Sequence, residues 1–214
     1  MAQLTERKVQ IQSFQINVYG FSGKIGSGKD YVAKNIFPRL LRASGDLGQH
    51  ETPLYLAFAD LLKTICAGRF GLDYDDLYVT KTPETRKRLQ EVGDELRKKN
   101  GELYFVNAMK LELAKHAKRS GIRTFIFTDV RFPEEFIWIH EMGGVVFRVN
   151  APKRSHQKLL EECKGDQKAY EARAAHRSET LLDCAKFDAI IENDPEQNPA
   201  QGISDWIQKG SVLL

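Results

Sequence analysis

Residues 23–29 read Gly23-Lys24-Ile25-Gly26-Ser27-Gly28-Lys29, the spacing G-x-x-x-x-G-K. Glycines at those places let a backbone fold around a phosphate with its N–H groups turned inward. A helix starting near Lys29 would add the positive end of its dipole. Lys29 itself would reach the β- and γ-phosphates of a nucleotide as a point charge. The position after the lysine usually carries the Ser or Thr that contacts magnesium; here it is Asp30, followed by Tyr31. A carboxylate is also a hard oxygen ligand, so Asp30 either serves Mg²⁺, directly or through water, or caps the helix. The sequence leaves both readings open.

A second set of residues surrounds Thr128-Asp129-Val130-Arg131-Phe132-Pro133-Glu134-Glu135. An acid at the carboxyl end of a strand, as Asp129 is expected to be, can orient Mg²⁺-bound water or a substrate. Arg131 can fork onto a phosphate. The structural alternative makes Asp129 a helix cap and Arg131 part of a surface ion pair. Arg86 precedes the apolar stripe Leu89, Val92 and Leu96 and projects from the same side. A cation there requires an anion, either a substrate phosphate or an internal carboxylate. Lys63 sits one turn into the helix after Leu54–Phe58. Tyr104-Phe105 either stacks on a base or belongs to the core. No His–acid dyad is evident near these motifs.

The elements that would position these groups alternate. Gln15–Phe21 reads as a strand, followed by the glycine turn and a helix over about Lys29–Leu41. Arg42–Pro53 is turn-rich, and Leu54–Phe58 is a buried-type strand. Helices are expected over Asp60–Phe70, from Thr82-Pro83-Glu84 onward, and over Leu103–Ser120. Then come strand Thr124–Phe127, helix Pro133–Met142, strand Val145–Val149, strand Ala189–Glu192 and helix Pro199–Gln208. Strands alternating with helices predict an α/β fold with a parallel sheet covered on both faces. Ala151–Ser178 departs from the pattern. It carries seven basic residues, Arg154, Arg173 and Arg177 among them, against four acids. It reads either as a solvated connector or as a mobile basic lid, at about 151–178. Residues 1–13 read as a flexible N-terminal tail and 14–214 as a single domain.

At these residues the chain resembles the phage-type deoxynucleoside monophosphate kinases. The matching pieces are GKIGSGKD (23–30), FADLLK (58–63), R-x-x-LQ-x-x-G (Arg86–Gly93), YFV (104–106), TDVRFPEE (128–135), HRSE (176–179) and ENDP (192–195), in the family's order. The resemblance implies a P-loop kinase that uses ATP and Mg²⁺ to phosphorylate a deoxynucleoside 5′-monophosphate. It implies an ATP site at Gly23, Lys24, Gly26, Ser27, Gly28, Lys29, Asp30 and Tyr31, with Asp30 the candidate metal contact. It implies an acceptor site at Lys63, Arg86, Gly93, Phe105, Asp129, Arg131 and Glu135, with Lys29, Asp129 and Arg131 nearest the chemistry. The family commonly has Thr where Tyr31 stands. Animal-type phosphomevalonate kinases have a similar GKD loop and Tyr/Phe helix, so phosphomevalonate is the second candidate acceptor. Dephospho-coenzyme A kinase fits the DVRFPEE segment less well. Nucleotide binding without catalysis is the alternative from a different class.

Composition limits the remaining classes. The 214 residues are 42% hydrophobic and 29% charged, ordinary globular usage. Thirty-two basic against 29 acidic residues give +3. That balance suits anionic small molecules and does not argue for nucleic acid, since acids interleave the basic residues. No membrane span is expected. The three cysteines, Cys66, Cys163 and Cys184, form no CxxC, which fits a reducing compartment. The cytoplasm is therefore the expected location (the host's, for a viral protein). Small-molecule substrates are the expected partners, and a homodimer is left open.

Overall fold

The computed structural model describes residues 16–79 and 82–211; the expected N-terminal tail lies outside them. Five strands form one sheet: β1 (Asn17–Ser22), β2 (Leu54–Leu56), β3 (Thr124–Val130), β4 (Val145–Asn150) and β5 (Ala189–Glu192). Their order is β2-β3-β1-β4-β5, and every pairing is parallel. The expected α/β architecture is present, with β1 at the centre and the phosphate loop at its carboxyl end.

Alternation along the strands sends side chains to two cores. Val18, Phe125, Phe127 and Val146 pack on one face with Val106, Met109, Trp138 and Ile139. Tyr19, Phe21, Ile126 and Phe147 pack on the other with Val32, Phe37, Leu41 and Ile203. The helices supplying these residues include α5 (Tyr104–Arg119) and α6 (Pro133–Glu141) on the first face, and α2 (Phe37–Ser44) and α10 (Pro199–Ser211) on the second. The helix after the phosphate loop is not uniform. A short α1 (Lys29–Tyr31) passes through a π-helical stretch, Val32–Ile36, into α2.

Beyond the edge of the sheet, α3 (Asp60–Phe70), α4 (Pro83–Asn100) and the amino end of α5 enclose a third cluster: Leu62, Cys66, Leu77, Val92, Leu96 and Phe105. Thr82 caps α4, its hydroxyl accepting the Thr85 N–H at 3.1 Å, with Pro83 at the first turn. Among the described residues no helix is long and apolar enough to cross a membrane.

Three boundaries differ from the sequence expectation in ways that matter for the site. Strand β3 runs on to Val130, so Asp129 lies within the strand instead of after it. The turn-rich segment begins later, because α2 continues to Ser44. Ala151–Ser178 is helical: α7 (Pro152–Glu162), α8 (Gln167–Ala174) and the start of α9 (Arg177–Thr180). Its apolar period is short but real. Leu159 and Cys163, four apart, pack on Ile25 of the phosphate loop with Ala169, Tyr170 and Ala174 alongside. Charge density hid that stripe.

Candidate functional site

The phosphate loop needs its glycines. Gly26 and Gly28 both have φ +78°, where a Cβ is strained. A Cβ on Gly28 would also stand 2.5 Å from Asn193 Nδ2, and one on Gly26 would meet Lys158 at 2.6 Å. Gly23 lies beneath the loop, where a Cβ would reach Ser27 Oγ at 2.5 Å. Helix α1 begins at Lys29 with no side-chain cap, so its first N–H groups are available to an anion. Ser27 Oγ is buried without a hydrogen-bond partner among the described residues. An orphaned hydroxyl beside uncapped helix N–H groups suits a phosphate oxygen.

Two late segments hold this loop from behind. Asn193 Nδ2 donates to Ser27 O at 2.7 Å. The Ile25 N–H donates to Glu179 Oε2 at 2.9 Å. The other oxygen of Glu179, Oε1, accepts from Arg131 Nη1. Arg131 also donates to Ser178 O at 3.3 Å.

Two hollows meet here. A cleft of about 750 Å³ follows the loop and α7, lined by Lys24, Gly26, Ser27, Gly28, Arg154 and Lys158 among others. A smaller cavity of about 210 Å³ lies between α3, α4 and the end of β3. Ile25, Lys29, Asp30, Arg86 and Arg131 line both. All of Lys63, Arg86, Gly93, Phe105, Asp129, Arg131 and Glu135 line the smaller cavity, so the structure brings the proposed acceptor set together.

Several of these side chains have internal partners. Lys29 Nζ lies 2.9 Å from Asp30 Oδ2. Lys63 bonds Asp60 at 3.0 Å and sits 4.0 Å over the Tyr78 ring. Asp129 accepts the N–H groups of Phe58 and Ala59 at 2.8 and 3.0 Å. It therefore ties β3 to the turn before α3 and does not cap α6. Burial raises its pKa against the pull of those bonds. Arg86 Nη2 donates to Glu162 Oε1 at 3.2 Å, so the anion it requires is supplied within the chain by α7. Phe105, 2% exposed, is core as well as cavity wall. Its ring carries the Arg97 guanidinium, 4.5 Å from the centroid, which also lies 3.4 Å from that of Phe132.

Glu135 is held by three donors: Arg131 N at 2.8 Å, Phe132 N at 3.1 Å and Arg97 Nη2 at 3.2 Å. Burial, reinforced by the nearby Asp129 charge, nevertheless raises its pKa to about 8.

Other expected residues fall elsewhere. Tyr31 is 62% exposed and lines neither hollow. Of the three arginines expected in a lid, Arg154 lines the phosphate-loop cleft and is anchored to Asn193 O at 3.2 Å. Arg173 is turned onto Glu162 and Arg177 onto Glu102. The structure also brings together a His–acid pair that the sequence reading lacks: His176 Nε2 lies 3.4 Å from Asp94 Oδ2, and both residues line the smaller cavity.

For magnesium, Asp30 offers a hard oxygen beside Lys29 at the junction. No group of three His, Cys, Asp or Glu is assembled among the described residues. Such a site fits an ion whose remaining ligands are substrate phosphates and water.

No protein-family model matches the chain, and no curated protein matches it. Among solved structures, a shikimate kinase from Aquifex aeolicus is similar over 92% of this chain and 99% of its own, at 18% identity and a TM-score of 0.39. A likeness at that level is silent on substrate, and the fold rests on the strand order and loop geometry described above.

Proposed function

We propose that the protein is an ATP-dependent phosphotransferase whose acceptor is a deoxynucleoside 5′-monophosphate. The observation that carries this reading is the meeting of the two hollows at Lys29, Arg86 and Arg131. A donor phosphate chain on the loop and an acceptor phosphate in the cavity would face each other across those three cations. Phosphoryl transfer needs little more than such positioning and charge neutralisation.

In this scheme the loop N–H groups and Lys29 hold the donor's terminal phosphates. Arg86 and Arg131 hold the acceptor phosphate, whose oxygen is already an anionic nucleophile and needs no strong base. Arg86 leaves Glu162 for that phosphate, exchanging one anion for another. Arg131 keeps Glu179 and is aimed by it. Asp30, with substrate phosphates, would hold Mg²⁺, which supplies further neutralisation of the transferring group. Helix α7, seated on Ile25 through Leu159, excludes water from the junction and so suppresses ATP hydrolysis.

Phosphomevalonate is the second reading. The burial of Phe105 favours it, because an acceptor without a base needs no stacking ring. A coupled ADP-release screen tests both, with dGMP, dTMP, dCMP, dAMP, their ribo counterparts and phosphomevalonate as acceptors. Stimulation by a deoxynucleoside monophosphate is the expected result. Stimulation by phosphomevalonate alone selects the second reading, and stimulation by none leaves only nucleotide binding.

A further inference from the structure

Helix α4 presents a regular row to the smaller cavity: Arg86, Gln90 and Asp94, each one turn beyond the last. Residues at i, i+4 and i+8 share a face. At a rise of 1.5 Å per residue, Gln90 stands about 6 Å and Asp94 about 12 Å beyond Arg86 along the axis. Arg86 is at the junction with the phosphate-loop cleft. A monophosphate held there would lay its sugar beside Gln90 and bring the far edge of its base to Asp94. Leu62, Phe105 and Phe132 contribute apolar surface to the same cavity.

Asp94 is placed as an acceptor beside His176. Ser178 N donates to His176 Nδ1 at 3.2 Å. That assigns the proton of the neutral ring to Nε2, which faces Asp94 Oδ2 at 3.4 Å. Oδ1 takes no hydrogen bond from any described residue, and neither does the Gln90 amide. A carboxylate accepts and cannot donate. Its natural complement is an edge with two neighbouring N–H donors. Guanine has that edge, N1–H beside the 2-amino group. Hypoxanthine keeps only the ring N–H, and thymine flanks its single N–H with carbonyl oxygens, whose lone pairs would meet the carboxylate.

We propose that Gln90 and Asp94 read the acceptor base, and that the site selects a guanine nucleotide through paired N–H donation to Asp94. This rests on the nucleotide reading of the cavity. A bidentate contact of this kind discriminates by roughly tenfold to a hundredfold.

The test compares kcat/KM for dGMP, dIMP and dTMP in the wild-type protein and in Asp94→Asn, with melting curves beside the kinetics. The expected result is dGMP above dIMP and dTMP by roughly tenfold or more. In Asp94→Asn that advantage collapses through a rise in acceptor KM, with the KM for ATP unchanged. Asp94 is half-exposed, so the variant is expected to melt normally. Turnover in which dTMP or dIMP equals dGMP overturns this proposal alone. So does an unchanged dGMP-to-dIMP ratio in Asp94→Asn. Turnover of no nucleotide at all overturns this proposal together with the reading beneath it.

Discussion

Glu179 holds Arg131 with one carboxylate oxygen while the other accepts the Ile25 N–H of the phosphate loop. The carboxylate is 6% exposed and bonded on both oxygens, as a buried charge must be to avoid a large desolvation cost. One side chain therefore sets the distance between the phosphate loop and an arginine of the smaller cavity. Replacing Glu179 by Gln keeps an oxygen for Ile25 but removes the charge that aims Arg131. The expected outcome is a roughly tenfold to hundredfold fall in kcat, the scale of one lost charge-assisted bond, with a smaller change in ATP affinity. Wild-type kcat in a variant that melts normally would show that Arg131 needs no such support.

Lys29→Ala is expected to abolish phosphoryl transfer with the fold intact. Lys29 is 9% exposed, yet its amine meets Asp30 at the mouth of both hollows and not in a core cluster. Turnover and circular dichroism on the same preparation check this. Near wild-type turnover in a folded sample removes the kinase reading.

Phe105→Ala is expected to destabilise the protein by about 3–5 kcal/mol, since the ring fills the cluster between α3, α4 and α5. Thermal melts measure that loss. Phe105→Leu keeps most of the volume and separates packing from stacking. If a stable Phe105→Leu protein loses tenfold or more in kcat/KM for nucleotides but not for phosphomevalonate, the ring stacks on a base as well, by the roughly 1–3 kcal/mol such contacts contribute.

Glu135 should give the stability curve an unusual slope. Its pKa rises from 4.5 to about 8 on folding, with burial the leading cause. The folded state then binds more protons than the unfolded state between those values. The contribution is fully present below about pH 4.5 and is lost as pH rises through about 8. Melting temperatures from pH 5 to 8.5 should therefore decline more steeply for wild type than for Glu135→Gln. Parallel curves for the two proteins would place the titration elsewhere.

The sheet and the cavity wall were legible in the sequence because their signals are local and periodic. Arg86 and Gly93 share a helix face with Leu89, and one heptad carries the pair into a single wall. That face also reaches Arg97, eleven residues on from Arg86, which the apolar stripe ending at Leu96 overshadowed. Glu179 and Asn193 lay inside quoted motifs, HRSE and ENDP, yet nothing local gave them roles, because their partners are Ile25 and Ser27 at the far end of the chain. Whether a cation such as Arg86 meets a substrate or an internal carboxylate is decided by tertiary contact, and α7 supplied Glu162. Helices α7 and α8 were hidden for a related reason. Leu159 and Cys163 are two apolar residues in a charged run, and only contact with Ile25 of the loop makes them a core.

The bonds from Glu179 and Asn193 back to the loop also impose an order in time. Residues 23–29 leave the ribosome well before the two side chains that brace them, which follow their loop partners by 154 and 166 residues. A nascent chain therefore carries the glycine sequence without its brace until β5 joins the sheet and brings Asn193 to Ser27. Contacts of such long sequence separation are slow to form. The glycine loop is thus made long before the contacts that hold it.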